Sequence, residues 1–445
     1  MQANKTQNDL LSFPIGVTLK NMTIPMVMGM IALMSFNLID TFFIGLLGTN
    51  ELAAISFTFP VTFTVISLTI GLGIGTSACI AKTLGGGDNS EARDQGTSAL
   101  LLSVVLVASL SSIGWLLITP IFTLLGSEQN TLPFILEYMQ IWYFSSVFLV
   151  LPMIGNSILR ASGDTKTPST IMALGGAMNA ILDPVLIFGL GPVPALGMTG
   201  AAIASLIAWM TGAAVMLYIL SIKRQLIYLH LPEWKKLKNS VQKILKIALP
   251  AAGANMLTPL AMSILTAIVA GYGHEAVAAF GVGQRLESIG CIVVLALSMT
   301  LPPFISQNLG AGQVQRVIDG YKLCCRFVLL WQFVVYILLV ISAPLIANAF
   351  ASEGEVNQLI RVFIWIVPLG YGLQGIIILT NSSFNALHKP MIALQLSIMR
   401  LFLFYVPAAY IGGELYGIYG LFAGCVVGNC CMAMVSYFRF KKQGV

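Results

Sequence analysis

The chain has 445 residues, of which 57% are apolar and only 9% charged, with a net charge of +6, whereas a soluble globular chain carries about 25% charged residues. So few charges cannot clothe the several water-facing domains that this length would otherwise form. A soluble enzyme, a nucleic-acid-binding module and a disordered chain are excluded, and the outside of the protein faces lipid.

A membrane-spanning helix takes about 20 apolar residues. Windows of that length find twelve, at 17–47, 51–81, 92–119, 132–160, 168–190, 197–222, 241–271, 275–305, 314–342, 356–384, 390–411 and 415–438. The stretch before the first span is polar and has no apolar run ending at a small-residue cleavage site, so no signal peptide is expected. The first span carries Pro25, which leaves the carbonyl one turn earlier without its donor and makes a bend inexpensive there. On one face of that span Met22, Met26, Gly29, Leu33, Phe36 and Asn37 lie within about 60° of Asp40. The second span holds Gly71-Leu-Gly-Ile-Gly75. With no strand before it, this motif reads as close helix packing rather than a nucleotide loop. In the fifth span Met172, Gly176 and Asn179 share a face with Asp183.

A carboxylate in hydrocarbon costs several kcal/mol unless it is paired or neutralised. Asp40 and Asp183 are the two acids set well inside the spans of the first half, and they mark a candidate ion-coupling site. The mixed methionine, aromatic and amide surface made by Met22, Met26, Leu33, Phe36, Asn37 and Met172 reads as the lining of a cavity for varied lipophilic cations. A hydrogen-bonded structural pair is the competing reading of the acids.

After the sixth span comes a basic segment, 223–240, with Lys223, Arg224, Lys235, Lys236 and Lys238. It reads as a cytoplasmic linker between an N-terminal lobe, 1–222, and a C-terminal lobe, 241–445. With the N-terminus inside, every Lys and Arg except Arg285, Arg361 and Arg400 falls on the cytoplasmic side. The outer loops near Thr49, Ser127, Pro192, Gly273, Glu353 and Glu414 hold none. Both termini are therefore expected inside.

The second half repeats the first. Leu84-Gly-Gly-Gly87 recurs as Leu309-Gly-Ala-Gly312, Asn156-Ser157 as Asn381-Ser382, and Ile24-Pro25 as Leu249-Pro250, all offset by 225 residues. Six spans return the chain to its starting side, so the halves are parallel repeats. The expected fold is an all-α integral membrane protein of twelve transmembrane helices in two six-helix lobes related by a parallel pseudo-two-fold axis. The second half has no mid-membrane acid opposite Asp40, where the offset places Leu265. Glu287 stands two residues from Arg285 and reads as local charge compensation. His230, His274 and His388 are scattered and propose no metal site.

The ordered motifs Gly71-Leu-Gly-Ile-Gly-Thr-Ser77, Leu84-Gly-Gly-Gly-Asp88, Leu159-Arg-Ala-Ser-Gly-Asp-Thr-Lys-Thr-Pro168, Asn179-Ala-Ile-Leu-Asp-Pro184 and Gly197-Met-Thr-Gly-Ala-Ala202 resemble the multidrug and toxic compound extrusion (MATE) transporters over essentially the whole chain. Acids in the first lobe resemble the DinF-like bacterial branch. The resemblance implies a twelve-helix antiporter in a bacterial cytoplasmic (inner) membrane, exporting drugs against an inward H⁺ or Na⁺ gradient by alternating access. It further implies that Asp40, Asn179 and Asp183 form a first-lobe polar network, with Ala201, Ser205 and Asn156 at matching positions.

Two carboxylates in one low-dielectric pocket cannot both ionise cheaply, which favours protons as the coupling ion. Sodium is the alternative, because Asp40, Asn179, Asp183, Ser205 and the Ala201 carbonyl present an all-oxygen set suited to a hard cation. The expected cargo is a small lipophilic cationic drug, and the expected partner is the lipid bilayer, with no nucleic acid, no cofactor and a monomeric state. A lipid or polysaccharide-precursor flippase is the rival within transport, and would draw on Arg285, Arg361 and Arg400 for phosphate. A membrane-embedded transferase is the rival from another class, and no cluster of His or acidic residues at one membrane face supports an enzyme.

Overall fold

The computed structural model describes residues 10–127, 130–190, 192–351 and 354–443, and among them helices account for the regular structure, with no strand. In the first half, α1 (Ile15–Gly45), α2 (Thr49–Gly85), α3 (Asn89–Leu116), α4 (Leu132–Ala161), α5 (Lys166–Phe188) and α6 (Gly197–Tyr218) follow the six expected spans. The second half opens with α7 (Trp234–Ala270). Its eighth span is broken at Cys291 into α8 (His274–Gly290) and α9 (Ile292–Gly310), and the ninth is α10 (Val314–Phe350). The tenth joins α11 (Glu355–Ile366) to α12 (Tyr371–Ala386) through a 3-10 turn, and α13 (Pro390–Met399) leads through a π-helical segment, Arg400–Tyr405, into α14 (Val406–Gln443).

Eleven helical stretches among the described residues are long and apolar enough to cross a membrane. The last of them runs for 53 residues, about 80 Å of helix against a hydrocarbon core of about 30 Å. It divides where Tyr416 and Gly417 leave helical geometry, which accounts for the eleventh and twelfth spans separately.

The repeat is visible in the turns. Gly87 and Gly312, 225 residues apart, both take a left-handed φ, +86° and +73°, and each donates its N–H back to the matching carbonyl, Leu84 at 2.9 Å and Leu309 at 3.1 Å. The same offset pairs Gly163 with His388, at φ +89° and +58°. The left-handed conformation costs an L-residue roughly 1–2 kcal/mol, so the second half carries at His388 a strain that glycine relieves in the first.

The chain forms two compact units. One comprises 24–252 with the N-terminal residues up to Ser12, and the other 253–445 with Phe13–Thr23. The divisions fall inside α1 and α7, next to Pro25 and Pro250, where each proline removes one intrahelical donor. The sequence placed the lobes at 1–222 and 241–445 on either side of a linker at 223–240. Part of that linker, from Trp234 onward, is already the start of α7.

In the first unit α4 packs against α2, α3 and α6. The glycines of the second-span motif explain the close approach of α7. A Cβ at Gly71 would stand 2.6 Å from the Ala248 carbonyl oxygen, and one at Gly75 would stand 2.7 Å from that of Ile244. Gly73 meets the Ser157 hydroxyl on α4 instead. The motif is therefore a packing surface, as expected from its place in an apolar span.

The polar ends are tied by ion pairs. Asp164 accepts from the Thr167 backbone N–H at 3.0 Å and its hydroxyl at 2.7 Å, and pairs with Arg224. This single carboxylate thus caps the start of α5 and fixes the exit of α6. Lys236 reaches Asp94 at 3.2 Å and Lys243 reaches Glu91 at 2.8 Å, seating the basic segment on the start of α3. In the second unit the corresponding central helix is α12, packed on α9, α10 and α14. The start of α1 is held there by a 2.9 Å hydrogen bond between the Thr23 and Thr300 hydroxyls and by Arg316 donating to the Phe13 carbonyl at 2.9 Å.

Candidate functional site

The first unit brings Asp40, Asn179, Asp183 and Ser205 together from three helices. Along α1 the residues Met26, Gly29, Leu33, Phe36 and Asp40 have the same spacing as Ser169, Met172, Gly176, Asn179 and Asp183 along α5. Both sets follow steps of three and four, so each forms a stripe on one helical face, and the two stripes meet side by side. The Ser169 hydroxyl approaches the Met26 sulfur at 3.6 Å. Gly29 lets the helices close until its missing Cβ would stand 2.9 Å from Ser169. One level on, the Phe36 ring fills the space left by Gly176, and beyond it the Asp40 and Asp183 carboxyls come within hydrogen-bonding reach of one another.

A bond between them has a chemical requirement. A carboxylate has no donor, so two carboxyls can share a hydrogen bond only when one holds a proton. Asp183 is fully buried. Its Oδ1 accepts from Asn179 Nδ2 at 3.2 Å, and the same amide reaches Ser205 Oγ at 3.5 Å. Its Oδ2 is buried without a hydrogen-bond partner, on the side free to meet a protonated carboxyl. The arrangement suits one proton shared between two acids, with amide and hydroxyl partners on the other side.

Several expected residues stand differently. Met22 and Met26 are 4% and 0% exposed, so they pack rather than line an open space. Leu33 is exposed, and Phe36 and Met172 are half-buried. For Met26 and Phe36 the physical reason is the small residues opposite: Ser169 and Gly176 let this part of α1 sink onto α5. The Asn37 side chain lies outside the described residues. Ala201 is buried on α6, one turn before Ser205. Asn156 does not join the network. Its side chain is buried with Oδ1 unpartnered, and it lies 18 residues along α4 from Tyr138, about 27 Å at the helical rise.

Tyr138 itself was not anticipated. It comes from α4 to within electrostatic reach of both acids, whereas its neighbour Glu137 is exposed. A tyrosine within an apolar run gives no signal of which way its hydroxyl points. Glu287 also differs from expectation. It accepts from Gln374 Nε2 on α12 at 2.7 Å, while Arg285 is exposed and makes no ion pair among the described residues. Residues two apart on a helix do not face each other, so Arg285 could not have compensated it.

Comparison with known proteins now bears on these features. A family model, MatE, matches residues 25–185 and again 250–411, the two copies starting 225 residues apart. The chain is 42% identical over 438 residues, 98% of its length and 97% of the relative's, to a protein of Shewanella oneidensis named FAD transporter. It is 26% identical to the probable multidrug resistance protein YoeA of Bacillus subtilis, over 82% of this chain and 80% of that one. Among solved structures, the Vibrio cholerae MATE transporter VcmN in the bent form superposes with a TM-score of 0.91 at 34% identity, covering 98% of each chain.

Proposed function

Because the chain belongs to the MATE family of multi-pass membrane transporters, we propose that it is a proton-coupled exporter in a bacterial cytoplasmic membrane, with both termini inside, whose cargo is a flavin dinucleotide. The coupling reading is supported by one observation above all, the approach of the Asp40 carboxyl to within hydrogen-bonding reach of the buried Asp183 carboxyl. With one proton present, a bond between them closes the seam between α1 and α5. When the proton leaves, two like charges face each other at hydrogen-bonding distance and the seam opens. Pro25, between the acids and the start of α1, gives the helix a place to bend. Loss of the proton and opening of the seam are therefore one event, the step that an antiporter ties to movement of its cargo. Asn179 orients Asp183, and Ser205 holds Asn179 in turn.

The cargo reading is supported by the 42% identity that extends across 98% of the chain to the FAD transporter, against 26% to a relative named for multidrug resistance. Export of lipophilic cations is the second reading, favoured by the methionine and aromatic residues of the seam. Proteoliposomes containing the purified protein decide between them. Loaded with FAD or with a fluorescent lipophilic cation, they should release FAD as protons enter down an imposed pH gradient, with the membrane potential clamped. Movement of the cation alone would overturn the flavin reading, and movement driven by sodium but indifferent to the pH gradient would overturn proton coupling.

A further inference from the structure

A second polar cluster lies in the second unit, inside helices that are otherwise apolar. Glu287 comes from α8, Gln374 from α12 and Arg400 from the end of α13, and all three side chains are half-buried. Gln374 Nε2 donates to Glu287 Oε1 at 2.7 Å. Arg400 lies within electrostatic reach of Glu287. It nevertheless forms no ion pair or hydrogen bond among the described residues, and its guanidinium stands 5.2 Å from the centre of the Tyr405 ring. The three ion pairs of the described residues are elsewhere, at the polar ends of the first unit.

This arrangement is unlike a structural ion pair. Charges inside a membrane are costly and are kept for use, and a pair kept for stability gains most by closing to contact with every donor satisfied. Here the guanidinium is held near the carboxylate but apart from it. The chain at Arg400–Tyr405 is wound as a π-helix, an irregularity that tends to occur at functional sites. What remains open is a planar fork of cationic donors beside a carboxylate and a carboxamide. The fork matches phosphate oxygens, and the carboxylate accepts from hydroxyl groups. A phosphate attached to a polyol chain meets both requirements at neighbouring positions.

We propose that Glu287, Gln374 and Arg400 form a recognition site for the flavin dinucleotide, in which Arg400 takes the pyrophosphate and the Glu287–Gln374 pair takes the adjoining ribityl hydroxyls. The proposal rests on the flavin reading of the cargo given above. It assigns specificity to the second unit, while the proton is handled in the first.

Binding of three flavins to the purified full chain in lipid nanodiscs, followed by flavin fluorescence anisotropy, tests the assignment. FAD has both groups, riboflavin has the ribityl chain without phosphate, and lumiflavin has neither. Arg400→Gln should raise the Kd for FAD at least about tenfold and leave riboflavin unchanged, with Arg400→Lys between. Glu287→Gln should weaken FAD and riboflavin together and leave lumiflavin unchanged. Melting temperatures identify a variant that fails to fold, in which case Arg400→Lys carries the comparison. Wild-type binding of FAD that Arg400→Gln or Arg400→Lys leaves unaltered, or weakens equally with riboflavin, overturns the site alone. Absence of FAD binding by the wild-type protein overturns the cargo reading, and the site with it.

Discussion

Replacing Asp40 with asparagine should uncouple export from the pH gradient while leaving the protein folded. In the structure the Asp40 and Asp183 carboxyls lie within hydrogen-bonding reach of one another, and Asp183 is fully buried. Two unit charges about 4 Å apart at an effective dielectric constant of about 20 repel by about 4 kcal/mol, close to a thousandfold preference for keeping one proton on the pair. A pH gradient of one unit supplies about 1.4 kcal/mol per proton, so it can bias the cycle only through a site that gains and loses that proton. In Asp40→Asn the side-chain amide donates permanently to Asp183, which imitates the protonated state and holds the α1–α5 seam closed. Export driven by the pH gradient should fall at least about tenfold, with the melting temperature within a few degrees of the wild type. The assay is cargo efflux from proteoliposomes under an imposed pH gradient with the potential clamped. Undiminished, gradient-dependent efflux by Asp40→Asn would refute the assignment of the proton to this pair.

Three further outcomes follow from other parts of the molecule. Gly71→Ala should destabilise the protein by about 1–3 kcal/mol, because its Cβ would press on the α7 backbone, whereas Gly281→Ala, which has open space around it, should be neutral or stabilising. Fluorescence-detected melting compares the two. Asp164→Ala should cost about 3 kcal/mol or more, since it uncaps α5 and leaves Arg224, 16% exposed, without its partner; Arg224→Gln in the same background should recover part of the loss in the same melt. Cysteines placed at Gly273 and Glu414 in a background without the native cysteines should react with an impermeant thiol reagent in intact cells, and one at Asn239 should not. Labelling at Asn239 would invert the proposed orientation.

Much of the fold is legible in the sequence because membrane spans are set by hydrophobic length, a property of contiguous residues. The spans, the 225-residue repeat and the acids Asp40 and Asp183 follow from counting apolar runs, comparing turn motifs and finding charges where hydrocarbon excludes them. The shared stripe of α1 and α5 is legible too, since helical period alone assigns Gly29, Phe36 and Asp40 to one face and Gly176, Asn179 and Asp183 to another. Periodicity says which side chains share a face, however, and not what that face meets. Only the tertiary structure decides that Met26 is buried, because small residues such as Ser169 and Gly176 let α1 close onto α5. It alone brings Tyr138 to the acids and carries Asn156 some 27 Å along the same helix, since motif order records sequence position and not depth in the membrane. Glu287 finds Gln374, 87 residues away, rather than the nearby Arg285, because hydrogen bonds between helices depend on rotation and approach, which no local pattern encodes.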